Sequence, residues 1–150
     1  MTTRTHQFPI IVVADNPKDI ILYKRTFERL GITNPIVFLV TAERAIEYLK
    51  TVEANSRSAP GLIVMELRMP DGDGFQVLRW LQEHPTFSIV PTVVMTTSAS
   101  LEETTTAYKW GANAVFAKPA TSSRREHLLR VVLEFWSIAA KSTPPRESWR

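Results

Sequence analysis

Ile10-Ile11-Val12-Val13-Ala14-Asp15-Asn16-Pro17 is the stretch on which the fold turns. Four β-branched residues in succession, with no polar residue alternating between them, suit a strand covered on both faces. The run ends at a carboxylate. Beyond it Ile20, Ile21, Tyr23, Lys24, Phe27 and Leu30 recur at helical spacing up to Gly31, a residue suited to closing a helix in the left-handed conformation. Strand, polar end, helix: the same unit then recurs along the chain.

Further apolar runs of this kind are Ile36-Val37-Phe38-Leu39-Val40, Leu62-Ile63-Val64-Met65, Thr92-Val93-Val94-Met95 and Ala114-Val115-Phe116-Ala117. The segments between them have helical period. Ala45, Ile46, Leu49 and Val52 mark a helix that Thr41 can cap. Phe75, Val77, Leu78 and Leu81 mark another, stopped before Pro85. Ser100 and Glu103 have the spacing of a capping box, and a last helix runs from about Ser122 to Ala139 through Leu128, Leu129, Val132, Leu133 and Trp136. Glu53 to Pro60 is expected to be a polar loop, and the residues from Pro144 onward a frayed tail. Five such units predict an α/β domain with a doubly wound parallel sheet, right-handed crossovers and helices on both faces. In such sheets ligands meet the protein outside the carboxyl ends of the strands.

Composition narrows the function. The chain has 150 residues, enough for one domain with a proper core. It has no cysteine, which excludes thiol catalysis and zinc–thiolate sites and is compatible with a cytoplasmic location. The apolar run from Phe8 to Ala14 is too short to cross a bilayer and has no signal-peptide cleavage pattern, so no membrane partner is expected. The net charge of +3 is spread, with a mild excess after Ser123 and no aromatic-lined basic stripe, so nucleic acid is not an expected partner either.

At the strand ends stand Asp15, Glu66, Thr96 and Lys118. Any one alone reads as a cap or loop residue. Together, two acids, a hydroxyl and an amine converging on one crevice form an arrangement that handles phosphoryl groups: acids hold a metal, while hydroxyl and ammonium bind phosphate oxygens.

These residues carry a resemblance. Val12-Val13-Ala14-Asp15-Asn16-Pro17, Val64-Met65-Glu66-Leu67-Arg68-Met69-Pro70, Asp73-Gly74, Val94-Met95-Thr96-Thr97-Ser98, Gly111-Ala112 and Ala117-Lys118-Pro119 make the chain resemble a receiver domain of the two-component response regulators, from about Phe8 to Ser137. Leu133-Glu134-Phe135-Trp136 further resembles the bacterial single-domain regulators that serve phytochrome-type sensor kinases. The resemblance implies a flavodoxin-like strand order 2-1-3-4-5, with residues 1–7 as a tail, 8–140 as the receiver and 141–150 as a flexible tail. It implies a signalling module rather than an enzyme, in which a histidine kinase passes phosphate to a strand-three Asp with Mg²⁺. It also implies a cis peptide before Pro119.

Three departures stand out. Glu66 occupies the phosphoacceptor position, normally Asp; Ala14 replaces the first of a pair of acids, leaving Asp15; and Val115 stands where a switching aromatic or His is usual. Thr96 and Lys118, the phosphate-binding equivalents, are kept. Asp15, Glu66 and the Arg68 carbonyl remain as donors for weak Mg²⁺ or none, and an inward-leaning Arg68 side chain would neutralise the site. Lys118 is expected to pair with Asp15 or Glu66 in place of the metal. The extra methylene of Glu66 moves its carboxylate outward by about 1.5 Å, where ~1 Å of misplacement can cost about 10²-fold in rate. Glu66 either mimics part of a phosphoryl group or silences the site, and both readings stand at this point.

The expected function is therefore a stand-alone, atypical receiver in a phosphorelay, without an attached output domain and working through protein contacts. Its partners would be a sensor histidine kinase or another signalling protein, with a homodimer through an apolar patch at Phe135-Trp136 if that patch is exposed. Alternatives are a regulator that still accepts phosphate and a flavodoxin-like enzyme or nucleotide binder, although Ala14-Asp15-Asn16-Pro17 offers no glycine-rich phosphate loop. His6, His84 and His127 lack metal spacing, His84 being placed as a helix-end cation, and Trp80, Trp110 and Trp136 are expected in core or interface.

Overall fold

The computed structural model describes residues 8–55, 59–69, 72–97 and 100–142. The expected tail at 1–7, the chain from 143, Pro70, Ser98 and residues 56–58 of the 53–60 loop lie outside them.

The five apolar runs form strands β1 (Ile10–Val13), β2 (Ile36–Leu39), β3 (Leu62–Glu66), β6 (Thr92–Thr96) and β7 (Ala114–Ala117). They make one parallel sheet in the order β2-β1-β3-β6-β7, the flavodoxin-like order expected. A two-residue ladder between β4 (Arg68–Met69) and β5 (Gly72–Asp73), which hydrophobic period could not reveal, follows β3.

Strand alternation divides the core. Ile10, Val12, Val64 and Met95 face one side with Leu22, Tyr23 and Phe27 of α1 (Pro17–Arg29) and Leu129, Val132 and Leu133 of α6 (Ser122–Ser142). Ile11, Val13, Met65 and Val94 face the other, with Leu49 of α2 (Ala42–Ala54), Val77, Leu78 and Leu81 of α3 (Gly74–Glu83) and Ala107 of α5 (Leu101–Lys109). Burial of both sheet faces explains why the strands lack polar alternation.

Local chemistry sets the ends. Asn16 accepts from the Lys18 amide and Pro17 opens α1, while Gly31 closes it at φ 65°. Thr41 accepts from the Arg44 amide and Ser100 from the Glu103 amide, as the sequence indicated. Two boundaries differ. α2 continues through Glu53 and Ala54, and α6 runs to Ser142, past both Ala139 and residue 140. A short helix α4 (Pro85–Ser88) was not foreseen, because its four residues carry no period.

On the last helix the two aromatics of the Phe135-Trp136 pair part ways. Phe135 is 74 % exposed, whereas Trp136 packs against the core and its indole N–H donates to the Gly61 carbonyl at 3.0 Å. Phe135 and Leu133 are separated by only two residues, so a helix cannot turn both inward. Among the described residues no peptide bond is cis, so the one preceding Pro119 takes the intrinsically favoured trans form, contrary to the resemblance.

Candidate functional site

β1, β3, β6 and β7 end at one edge of the sheet, where Asp15, Glu66, Thr96 and Lys118 follow from the strand register. Glu66 is the last residue of β3 and is 6 % exposed. Its strand end is held close to α3: Gly74 donates its amide to the Leu67 carbonyl at 2.7 Å, and a Cβ at Gly74 would lie 2.6 Å from the Glu66 carbonyl. Only a glycine permits this approach. Lys118 is fixed by its own amide, which donates to the Thr96 carbonyl at 2.8 Å. Thr96 is fully buried.

Lys118 turns into the crevice and forms ion pairs with two carboxylates. Its ammonium donates to Glu66 Oε1 and lies 2.5 Å from Asp19 Oδ2. The expected pairing with Glu66 is therefore present, and the second partner is Asp19, not Asp15. Asp15 is partly exposed at the end of β1, whereas Asp19, one helical turn later, enters the buried side of α1. The other oxygen of Asp19 receives Arg125 Nη1 at 3.1 Å, and Arg125 Nε donates to the Pro119 carbonyl at 2.6 Å.

Asp19 and Arg125 were not foreseen: Arg125 was counted only in the mild positive excess after Ser123, and Asp19 was not singled out. Both had a signal in the period. Asp19 precedes buried Tyr23 by four and Thr26 by seven, and Arg125 precedes Leu129 by four and Val132 by seven, so both lie on inward-facing stripes.

Arg68 does not lean inward. Its guanidinium, on the exposed side of β4, is ion-paired with Glu103 of α5. That pairing also takes the Glu103 side chain, which a full capping box would send back to Ser100. Val115, in the switch-equivalent position, is partly buried and packs against the core, and its amide donates to the Tyr108 hydroxyl at 3.1 Å. His84, at the end of α3, stacks on Trp80 with its Nδ1 2.6 Å from the Trp80 carbonyl.

Burial and ion pairing together set the ionisation. It pushes the Glu66 carboxyl above its ordinary value; hydrogen bonding and attraction from Lys118 oppose this, while the Asp19 charge adds to it. Glu66 Oε2 is buried without a hydrogen-bond partner among the described residues. Burial alone would lower the Lys118 ammonium, but its bonds to Asp19 and Glu66 outweigh this and raise it. Tyr23 is raised by burial, then by Asp19 and Glu66; it is neutral, and its hydroxyl points to the Met95 sulfur.

A pH dependence follows. Because the Glu66 pKa is raised in the folded state, its proton contributes stability that is fully present below the ordinary 4.5 and is lost as pH rises through the folded value. Glu66→Gln does not lose it. Urea unfolding from pH 4 to 8 should show the variant gaining stability relative to the native chain as pH rises, with the two curves parallel at the acid end. A relative loss with rising pH would mean that Lys118 dominates burial.

The profile of the response regulator receiver domain matches residues 10–130, and the chain belongs to that family. The probable methanogenesis regulatory protein FilR2 of Methanothrix harundinacea is 33 % identical over 129 residues, covering 86 % of this chain and 83 % of its own length. The structure of the phosphorylated cyanobacterial phytochrome response regulator RcpA superposes with a TM-score of 0.79 at 28 % identity, over 87 % of this chain and 94 % of that one. The Mn²⁺-bound form of the response regulator Rcp1, a protein of Synechocystis, superposes with a TM-score of 0.79 at 24 % identity, over 86 % and 94 %. These relatives include single-domain, phytochrome-associated regulators, as the sequence had suggested.

The residues of this crevice fit a divalent cation poorly. Lys118 already pairs with Glu66 and Asp19, Arg125 takes the other oxygen of Asp19, Ala14 supplies no ligand, and among the described residues no three acidic or imidazole groups are grouped to hold a metal. The ion-pair partners of Lys118 among the described residues are Glu66 and Asp19, which leaves Asp15, and one carboxylate is a weak Mg²⁺ site. Among the described residues no helix is long and apolar enough to cross a membrane.

Proposed function

We propose that this receiver no longer accepts phosphate at Glu66 and works through protein contacts from one fixed conformation. The observation that carries the reading is the Lys118 ammonium held between Glu66 and Asp19. In that position it does what a metal would do for the acids, and it is not free to receive a phosphoryl oxygen. The misplaced carboxylate and poor metal fit act in the same direction.

Two contacts support a fixed rather than a switching surface. Arg68, two residues after Glu66, holds the first turn of α5 through Glu103, and Tyr108 near the end of α5 holds the Val115 amide. Val115 has no ring to rotate, so no ligand at the crevice would favour a second arrangement there. The partners would be a sensor histidine kinase or another signalling protein. Val131 and Phe135, one turn apart on α6 and 50 % and 74 % exposed, offer an apolar contact through which two copies could also pair. The location would be cytoplasmic, with weak Mg²⁺ at most.

The expected result with acetyl phosphate and Mg²⁺ is an unchanged intact mass over the time in which a receiver with an Asp acceptor is labelled. A hydrolysable gain of one phosphate would establish the second reading, a regulator that still accepts phosphate.

A further inference from the structure

We propose that Arg125 is the positioning residue of this crevice, holding Asp19 and the Lys118–Pro119 turn at once and so keeping Lys118 on Glu66. The inference rests on the reading of Lys118 as an internal cation, and extends it to a residue on another helix.

Arg125 uses two faces of one guanidinium. Nη1 binds Asp19 Oδ1 at 3.1 Å, and Nε binds the Pro119 carbonyl at 2.6 Å. Lys118 takes the opposite oxygen of Asp19 at 2.5 Å. Asp19 is thus shared by two cations, one oxygen each, and Lys118 divides its charge between Asp19 and Glu66. Without Arg125, Asp19 would hold only Lys118 and draw it from Glu66. The planar fork explains why an arginine stands here: a lysine could reach the carboxylate or the carbonyl, but not both in fixed geometry. A cavity of about 10 Å³ between Asp19, Tyr23, Lys118 and Arg125 has room for about one water and leaves little slack.

The chain Glu66–Lys118–Asp19–Arg125 makes the crevice and the first turn of α6 one unit. Glu126, the next residue, turns to Arg25 and Arg29 of α1 and takes no part in it. The two neighbours therefore provide a test and its control.

The experiment is a double-mutant cycle on unfolding constants in urea at pH 7.5, using Glu66→Gln with Arg125→Met, and Glu66→Gln with Glu126→Gln. Residues without shared partners should combine additively. For Arg125 the expected double variant is at least about fivefold more stable than the product of the single effects, because Glu66→Gln releases Lys118 to the stranded Asp19. Glu126 should combine to within about twofold. Arg125→Lys, which keeps the charge but not the fork, should show part of the coupling and serves as the cycle if Arg125→Met does not fold. Additivity for Arg125, or equal coupling for Glu126, overturns the proposal. The cycle uses neither metal nor phosphate donor. Phosphorylation of the native chain with a coupled cycle would remove only the functional reading, and an additive cycle in an unphosphorylated chain would remove only this one.

Discussion

Replacing Lys118 with methionine should cost about 3 kcal/mol of stability at pH 7.5, at the low end of what breaking a buried ion pair costs. Methionine keeps the length of the side chain and removes the ammonium, so the loss is electrostatic rather than a cavity. Asp19 would keep Arg125, but Glu66 would be left buried with its main compensating charge gone. Adding Glu66→Gln to Lys118→Met should therefore recover most of the loss, because an uncharged amide suffers less from burial than a stranded carboxylate. The pH dependence has a definite sign. Lys118 has a raised pKa, so its contribution is intact below its ordinary 10.5 and is lost as pH rises through the folded value. The deficit of Lys118→Met should stay constant through the neutral range, shrink in acid where Glu66 takes up a proton, and vanish progressively in strong alkali. Urea midpoints at pH 5, at pH 7.5 and well above the ordinary 10.5 test all three. A deficit below about 0.5 kcal/mol at pH 7.5 would place Lys118 among exposed pairs of little worth and remove the basis for a fixed crevice.

The fold was legible because burial on both sheet faces leaves continuous β-branched runs, and Gly31, Thr41 and Ser100 mark helix ends by local hydrogen bonding. The short β4–β5 ladder and α4 were not, since elements of two to four residues have no period to detect. At the site, strand-end position found Glu66 and Lys118. It could not find Asp19 and Arg125, which come from helices α1 and α6 and meet only after both have packed on the same face. Nor could it assign Arg68: a side chain two residues past a buried acid can turn inward or out, and Glu103, from a segment far along the chain, decides the direction. That Lys118 pairs with Asp15 or Glu66 was foreseen from charge; that the acids are Glu66 and Asp19 depended on helix packing.

Restoring the usual aspartate at both positions together, Ala14→Asp with Glu66→Asp, should make stability depend on Mg²⁺ where that of the native chain does not. Ala14 is 4 % exposed and lies one residue before Asp15, so a carboxylate there enters a buried position already holding acids. In the absence of a divalent cation the double variant should be less stable than the native chain by about 2 kcal/mol, the order of an unsatisfied buried polar group. Shortening residue 66 by one methylene withdraws its carboxylate by about 1.5 Å and leaves Lys118 to Asp19. Adding Mg²⁺ to a hundred times its dissociation constant should then return about 2.7 kcal/mol, read as a rise in the thermal midpoint. Glu66→Asp alone should show little of this dependence, because it adds no charge. The same double variant should take up phosphate from acetyl phosphate at least about 10²-fold faster than the native chain, the cost of ~1 Å misplacement having been removed. If it gains neither Mg²⁺-dependent stability nor mass, the acids at positions 14 and 66 are not what closed the site. The hold of Arg125 and Asp19 on Lys118 would then be sufficient to keep it shut.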